Sequence, residues 1–384
     1  MKKSISIYYI TLFVIMICLP VLFFSIFGSH FDTFNYENRE LAPKPVLTAG
    51  TINDFPGAFE SWFNDHLPFR NQLLELNGHI DYDLLHSSAA DEVIIGKEGW
   101  LFYRGYQVGS EDSTGDYMGT NLFTDEELET IKNNLEKANE ELMERGCRFI
   151  VYIAPNKERI YSEYMPDAFG APAENCRKNQ LMAYLRENTW MPIIDAEEDI
   201  RAFREEHPET QIYFKYDTHW NELGAYVGAL SLNRVMGHDM LPADELHIED
   251  PGEGNFDLAR LLHLGNYLNH DHTYIPTGYT YNPIYTESND LHTEYRFTNP
   301  EGTGDDRKVL MIGDSFSSFL SPFVAFHYNN MYDCFYYDYS REILDREQPD
   351  IVVYECVERY LGNMLTFSLD GNIGVTDAQP AGAQ

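Results

Sequence analysis

The sequence predicts an α/β sandwich built on a mainly parallel sheet and preceded by an N-terminal transmembrane helix. Three observations carry that expectation. An apolar stretch, Ile5 to Phe27, follows Met1-Lys2-Lys3 at the chain start. From about residue 91 short unbroken apolar runs alternate with helical patterns, the signature of strands covered by helices on both faces. Two polar motifs, each rich in chemistry, close such runs.

The elements follow in order. Residues 1–4 form a cytoplasmic stub and 5–27 a signal-anchor, since the run exceeds the about 20 residues that span a bilayer. The lysines before it and the acidic chain after it leave the bulk outside. A cleaved signal peptide is the rival reading, but Ser25-Ile26-Phe27-Gly28-Ser29 offers no small-x-small site. Residues 28–90 are a linker with Pro43 and Pro45, then two short juxtamembrane helices separated at Pro68. The α/β domain runs from 91 to 366. It opens with Val93–Ile95, a Gly96-Lys97-Glu98-Gly99 turn and Trp100–Tyr103, a strand–turn–strand signature. Thr124 with Glu127 is a capping box opening a helix whose apolar face is Leu128, Ile131, Leu135, Ala138 and Leu142. Phe149–Ala154, Pro192–Asp195, Ile212–Tyr216, Val309–Ile312, Met331–Tyr337 and Ile351–Cys356 read as strands, with helices near 178–187 and 222–236. Residues 237–306 read as an irregular insertion, and 367–384 as a disordered tail.

Composition narrows the function. With 62 acidic against 27 basic residues the net charge is −35, which repels phosphate backbones and excludes a nucleic-acid partner. It argues in the same way against a polyanionic substrate. The five cysteines show no zinc-type spacing; Cys147, Cys334 and Cys356 lie in or beside apolar runs as buried thiols do, and the pairing is left open.

The first motif is Val309-Leu310-Met311-Ile312-Gly313-Asp314-Ser315, a strand turning into a helix. A nucleophilic serine needs such a sharp turn, with Gly313 allowing close approach and helix N–H groups available to an oxyanion. A helix cap is the competing use of the same residues. The second is Tyr216-Asp217-Thr218-His219-Trp220-Asn221. In extended chain Asp217 and His219 project to one face, where the carboxylate can orient the imidazole of a general base. A polar turn with a surface histidine is its competing reading. Both motifs fall at the carboxyl ends of predicted parallel strands, the edge where such sheets bind ligands. Gly313, Asn156 and Arg359, the last two following other strands to that edge, are the oxyanion or substrate-contact candidates, and a loop cap is the competing use of Asn156. Glu355, Glu358 and Arg359 equally fit a surface ion pair. His270-Asp271-His272 lacks a third ligand at an evident spacing and reads as loop, so no metal site is expected.

Asp217-Thr218-His219-Trp220-Asn221 with Gly313-Asp314-Ser315 resembles the SGNH-hydrolase-like domain of the alginate O-acetyltransferases AlgX and AlgJ, and most of all their Gram-positive DHHW relatives. Glu37-Asn38-Arg39, the Trp62–Arg70 segment, Gly96–Phe102, Ala154–Lys157 and Val357–Tyr360 support the likeness across about residues 37–362. This chain has Asp-Thr-His-Trp where the relatives have Asp-His-His-Trp, and no carbohydrate-binding module follows. The resemblance implies an SGNH-hydrolase-like three-layer sandwich as the catalytic domain, with Ser315 as nucleophile, His219 as base and Asp217 as orienting acid. It implies an extracytoplasmic O-acetyltransferase, fed by a membrane-bound O-acyltransferase and acting on a polysaccharide acceptor, without metal or cofactor. A carbohydrate O-acetyl esterase and a non-catalytic scaffold of an export complex are the alternatives.

Overall fold

The computed structural model of the chain describes residues 2–27, 30, 40–48, 50–88, 90–105, 112–277 and 284–374. It divides into two units: the chain up to Ala90 with Ala259–Asn266, and Asp91–Leu258 with the chain from Tyr267 onward.

In the first unit the apolar run forms one helix, Lys2–Phe27, and Phe55–Asp65 and Arg70–His79 form the two short helices. The second of these widens into a π-type turn at Ile80–Leu85. Gly78 is needed where it stands, because a Cβ there would lie 2.4 Å from the Leu262 carbonyl. Among the described residues no helix is long and apolar enough to cross a membrane. Glu37-Asn38-Arg39 lies outside the described residues.

The strands of the second unit are β1 (Val93–Ile95), β2 (Leu101–Tyr103), β3 (Arg148–Ala154), β4 (Ile193–Asp195), β5 (His247–Glu249), β6 (Ile275–Thr277), β7 (Tyr285–Ser288), β8 (Glu294–Thr298), β9 (Val309–Gly313), β10 (Asn330–Phe335) and β11 (Ile351–Val357). β1 and β2 form an antiparallel pair, as do β5 and β6. The main sheet has seven strands in the order β4-β3-β11-β9-β10-β8-β7. Its first five run parallel, while β8 and β7 add on antiparallel, so the sheet is mixed. Both antiparallel strands come from residues 237–306, which the sequence reading treated as irregular.

The apolar runs lack a polar face because both faces of the sheet are covered. Along β3, Ile150, Tyr152 and Ala154 enter one core, with Ile200, Leu223, Val227 and Leu320 from the helices Glu197–Glu206, Glu222–Met236 and Ser317–Ala325. Phe149, Val151 and Ile153 enter the other, with Leu128, Ile131, Leu135 and Leu142 of the helix Asp125–Glu144 and Leu181 of Arg177–Asn188. Two-residue alternation therefore splits one continuous run between two cores, giving a three-layer sandwich. The Thr124–Glu127 capping box closes as its spacing predicts.

Two further expectations fail. Ile212–Tyr216 is not a strand of the sheet; only Tyr213 makes a single bridge, to Trp220. Phe367, Leu369 and Ile373, expected in a disordered tail, are instead buried in the second core. Residues 375–384 lie outside the described ones. The four cysteines after Cys18 are buried free thiols.

Candidate active site

β9 ends at Gly313, where a Cβ would lie 2.6 Å from Ser317 Cβ and 2.8 Å from Glu355 Oε2. Only glycine fits so close an approach. The next residue ties the turn to its neighbour strand. Asp314 accepts from the N–H of Phe316 at 2.9 Å and of Val357 at 2.7 Å, and its own N–H donates to Glu355 Oε2 at 3.0 Å. This leaves Ser315 at the carboxyl edge, half-buried and reachable. Ser317 is buried and committed, its hydroxyl contacting the Asp314 carbonyl at 2.8 Å and Asp333 at 3.1 Å. Burial pushes Asp333 up to about 7, and pushes Glu355 up with help from the Asp314 charge. The floor under Ser315 is thus carboxyl-rich and only partly charged.

The Asp217–His219 loop reaches the same edge by a different route from the one the sequence suggested. Its backbone is pinned by Lys157, whose buried ammonium donates to the carbonyls of Phe214 at 3.0 Å, Lys215 at 3.2 Å and Asp217 at 2.6 Å. Burial pulls that ammonium down to about 8, against the pull of nearby carboxylates. Phe214 N–H donates to the His219 carbonyl at 3.1 Å, and Asn221 N–H to that of Ile212 at 3.1 Å, folding the loop back on itself. Asp217 and His219 share a face because Asp217 Oδ1 accepts from the His219 N–H at 3.0 Å, an Asx turn, and not because the chain is extended.

Across 96 positions of sequence, His219 Nε2 lies 2.6 Å from Ser315 Oγ, and Asp217 Oδ1 lies 2.6 Å from His219 Nδ1. Phe316 and Phe319 flank the imidazole with ring centres at 5.0 and 5.6 Å. Burial alone would push Asp217 up, but the His219 charge and two N–H donors outweigh it and hold it near 2. Burial opposes charge on His219 as well, and the attraction of Asp217 and Asp257 more than offsets it, raising the imidazole. The arrangement can move a proton from the hydroxyl to Nε2 while an ionised carboxylate faces Nδ1.

Asp257 is the participant that sequence reasoning missed. Its N–H donates to Asp217 Oδ2 at 2.6 Å, and its carboxylate accepts from the Thr218 N–H at 2.8 Å and the Thr218 hydroxyl at 2.6 Å. It begins the short helix Asp257–Leu261, and no spacing links it to a motif 40 positions earlier. Asp217, His219 and Asp257 offer atoms within 4.8 Å of one another, as a metal site would. Their oxygens are already taken up by N–H and O–H donors, so the cluster is a hydrogen-bonded network.

The other candidates stand at the same edge. Asn156 follows β3 and is 1% exposed, and neither atom of its side-chain amide has a hydrogen-bond partner among the described residues. Arg359 follows β11 with its guanidinium 5.1 Å from the Phe316 ring centre and 5.5 Å from that of Tyr103. Glu355, Glu358 and Arg359 are buried, which corrects the surface ion pair read from the sequence. Glu358 instead accepts from the Asn156 N–H at 3.1 Å and faces Arg159 at 3.4 Å. The His270-Asp271-His272 loop is held by protein partners: His272 bonds Asp250 at 2.7 Å, and Asp271 accepts from Gln211 at 2.9 Å and from the Lys215 N–H.

A sheet covered on both faces, with a Gly-Asp-Ser turn and an Asp-x-His loop meeting at its carboxyl edge, is the architecture of an SGNH-hydrolase-like protein. The chain belongs to the family described as SGNH hydrolase-like domain, acetyltransferase AlgX, which it matches over residues 93–326. It is similar to the probable alginate O-acetylase AlgJ of Pseudomonas aeruginosa, with 24% identity over 208 residues, covering 52% of this chain and 45% of that one. The AlgJ of Pseudomonas syringae pv. tomato is 22% identical over 281 residues, covering 68% of this chain and 63% of the relative. The chain thus spans less than two thirds of the length of each. In fold it is similar to Bacillus cereus PatB1, with a TM-score of 0.53 and 14% identity over 72% of this chain and 99% of that one. A DHHW family protein from Eubacterium siraeum gives a TM-score of 0.50 and 13% identity over 73% of this chain and 99% of its own. The family is one of O-acetyltransferases.

Proposed function

We propose that this chain transfers acetyl groups to hydroxyls of a cell-surface or exported polysaccharide, through an acetyl-enzyme on Ser315. The observation that carries the reading is the hydrogen-bond series Asp217–His219–Ser315, with both links at 2.6 Å. His219 Nε2 takes the Ser315 proton as Oγ attacks the acetyl carbonyl. The tetrahedral intermediate then collapses, and the leaving group of the donor departs with the proton held on Nε2. A sugar hydroxyl next gives its proton to Nε2, attacks the acetyl-serine, and leaves as the ester, with Oγ regaining the proton. Asn156, whose buried side-chain amide has no hydrogen-bond partner among the described residues, and the backbone N–H groups at the turn are the candidate oxyanion donors. Arg359 supplies positive charge behind Phe316.

With a net charge of −35, we take the acceptor to be a neutral glycan and not a polyuronate such as the one named for the AlgJ relatives. The full chain given p-nitrophenyl acetate and quenched is expected to carry an acetyl group on the Ser315 peptide by mass spectrometry. Added neutral oligosaccharide should then become acetylated in preference to an oligouronate. Acetyl passing only to water with every acceptor would establish the esterase instead, a reading favoured by the half-open position of Ser315. No acetyl on Ser315 would remove the mechanism.

In the same reading the helix Lys2–Phe27 anchors the chain with its second unit outside the cytoplasm, where a membrane-bound O-acyltransferase supplies acetyl. Intact chain is expected to stay with membranes through an alkaline carbonate wash. Release of full-length chain into the wash would refute the anchor.

A further inference from the structure

The contacts of Thr218 ask for an explanation that the Ser315–His219–Asp217 series does not provide. Its hydroxyl is 2.6 Å from Asp257 Oδ2 and 3.2 Å from His219 Nδ1, while its N–H donates to Asp257 Oδ1 at 2.8 Å. A hydroxyl has one hydrogen and two lone pairs. With Asp257 ionised that hydrogen goes to the carboxylate, the stronger acceptor. A lone pair is then left facing Nδ1, which therefore has two acceptors before it, Asp217 Oδ1 at 2.6 Å and Thr218 Oγ1 at 3.2 Å. Both favour a proton on Nδ1, and the tautomer so chosen leaves Nε2 as the acceptor toward Ser315.

We propose that Asp257 is a positioning residue of this site: by orienting the Thr218 hydroxyl it holds His219 in the Nδ1–H tautomer, and its own N–H holds the second oxygen of Asp217. The proposal rests on the reading of His219 as the base for Ser315. When Asp257 is protonated the relay reverses. Its O–H then donates to Thr218 Oγ1, freeing the Thr218 hydrogen to point at Nδ1, where it competes with the ring N–H.

The charges around the relay fix the sign of its pH dependence. His219 is faced by Asp217 and Asp257, by Arg359 from the segment after β11, and by Asp314 from the turn after β9. Lys157 faces Asp217 and Asp257 from beneath the loop, with Asp271 beyond it. Asp257, whose side chain is 26% exposed, is pushed up to about 6, by burial first and by the Asp217 charge second. Its charge in turn raises His219. Removing that charge must therefore lower the imidazole, and the acid limb of the rate profile moves to lower pH.

Three variants of the full chain test this on p-nitrophenyl acetate, with the ring nitrogens of His219 followed by 15N NMR. Asp257→Asn is expected to lower kcat about tenfold, the effect of one hydrogen bond, with KM unchanged. Its acid limb should move down by about half a pH unit to one unit. Thr218→Val, which keeps the backbone contact to Asp257, should lose a similar factor, and Thr218→Ser should recover it. In the first two variants the His219 nitrogen shifts should move toward a mixture of tautomers. Wild-type kcat and unchanged nitrogen shifts in Thr218→Val would overturn the proposal, as would equal rate losses in the Val and Ser variants. If Asp257→Asn does not fold, the two Thr218 variants decide alone. If Ser315→Ala keeps full activity, the nucleophile assignment fails, and the nitrogen shifts of the Thr218 and Asp257 variants still decide this inference.

Discussion

Replacing Ser315 by alanine is expected to reduce acetyl transfer by a factor on the order of 10⁴ or more, the size seen when the nucleophile of a serine triad is removed. The reason is chemical: without Oγ there is no atom to carry the acetyl group between donor and acceptor. Packing should barely change, because Ser315 is half-buried and the change removes one small hydroxyl, hydrogen-bonded to the His219 ring. Water can take that place, so the unfolding free energy should move by no more than about 1 kcal/mol. Initial rates on p-nitrophenyl acetate and thermal unfolding measured together check both halves of the expectation. Near-wild-type turnover would mean that another group attacks. Ser317 is not free to do so, since it is buried and bonded to Asp314 and Asp333, and Ser318 would be the residue to replace next. A fully inert wild-type chain, with donor and acceptor both present, would instead favour a scaffold role for the fold.

Asp217→Asn is expected to lower kcat by about 10²–10⁴-fold with the geometry preserved. An amide in that position offers hydrogen to Nδ1 as readily as it accepts one, so the ring can turn its protonated nitrogen toward Ser315. The pH dependence follows from the shifts at the site. His219 is raised, and the rate of the wild type falls as pH drops through that raised value and the base becomes charged. In the variant the opposite charge is gone, so the imidazole titrates lower and the remaining activity persists to lower pH. Stability follows the same groups. Asp217 is held near 2 against an ordinary 3.8, so its contribution is present above about 3.8 and is lost as pH falls toward 2. The raised His219 stabilises the fold most below its ordinary value of 6.5, and that part is lost as pH rises through the folded value. Unfolding of wild type and variant across pH measures both. A gap in stability that stays constant from pH 2 to pH 9 would contradict the assigned charges.

What could be read along the chain was whatever depends on near neighbours. Phe149–Ala154, Val309–Ile312 and Ile351–Cys356 announce strands because a run without polar residues can be satisfied only by burial on both faces. Thr124 and Glu127 announce a helix start because each side chain reaches the other's backbone N–H three residues away. The Gly-Asp-Ser turn and the Asp-x-His motif stood out for the same reason, since each is a local device. Ile212–Tyr216 misled because its apolar residues pack into a core without pairing to a sheet. Burial leaves the same mark on sequence whether or not strand partners exist.

Partners set by the path of the chain left no such mark. Asp257 meets Asp217 and Thr218 through the path of the chain between positions 40 apart, and a hydrogen bond between distant positions imposes no periodicity on the residues between them. Glu355, Glu358 and Arg359 look like surface charges in sequence. They are buried because β11 lies between β3 and β9, which places its end under the Ser315 turn. Local sequence decided which segments carry the proposed nucleophile, base and acid. The tertiary structure decided that they meet within 2.6 Å, since strand order and loop path, which no local pattern encodes, set every distance among them.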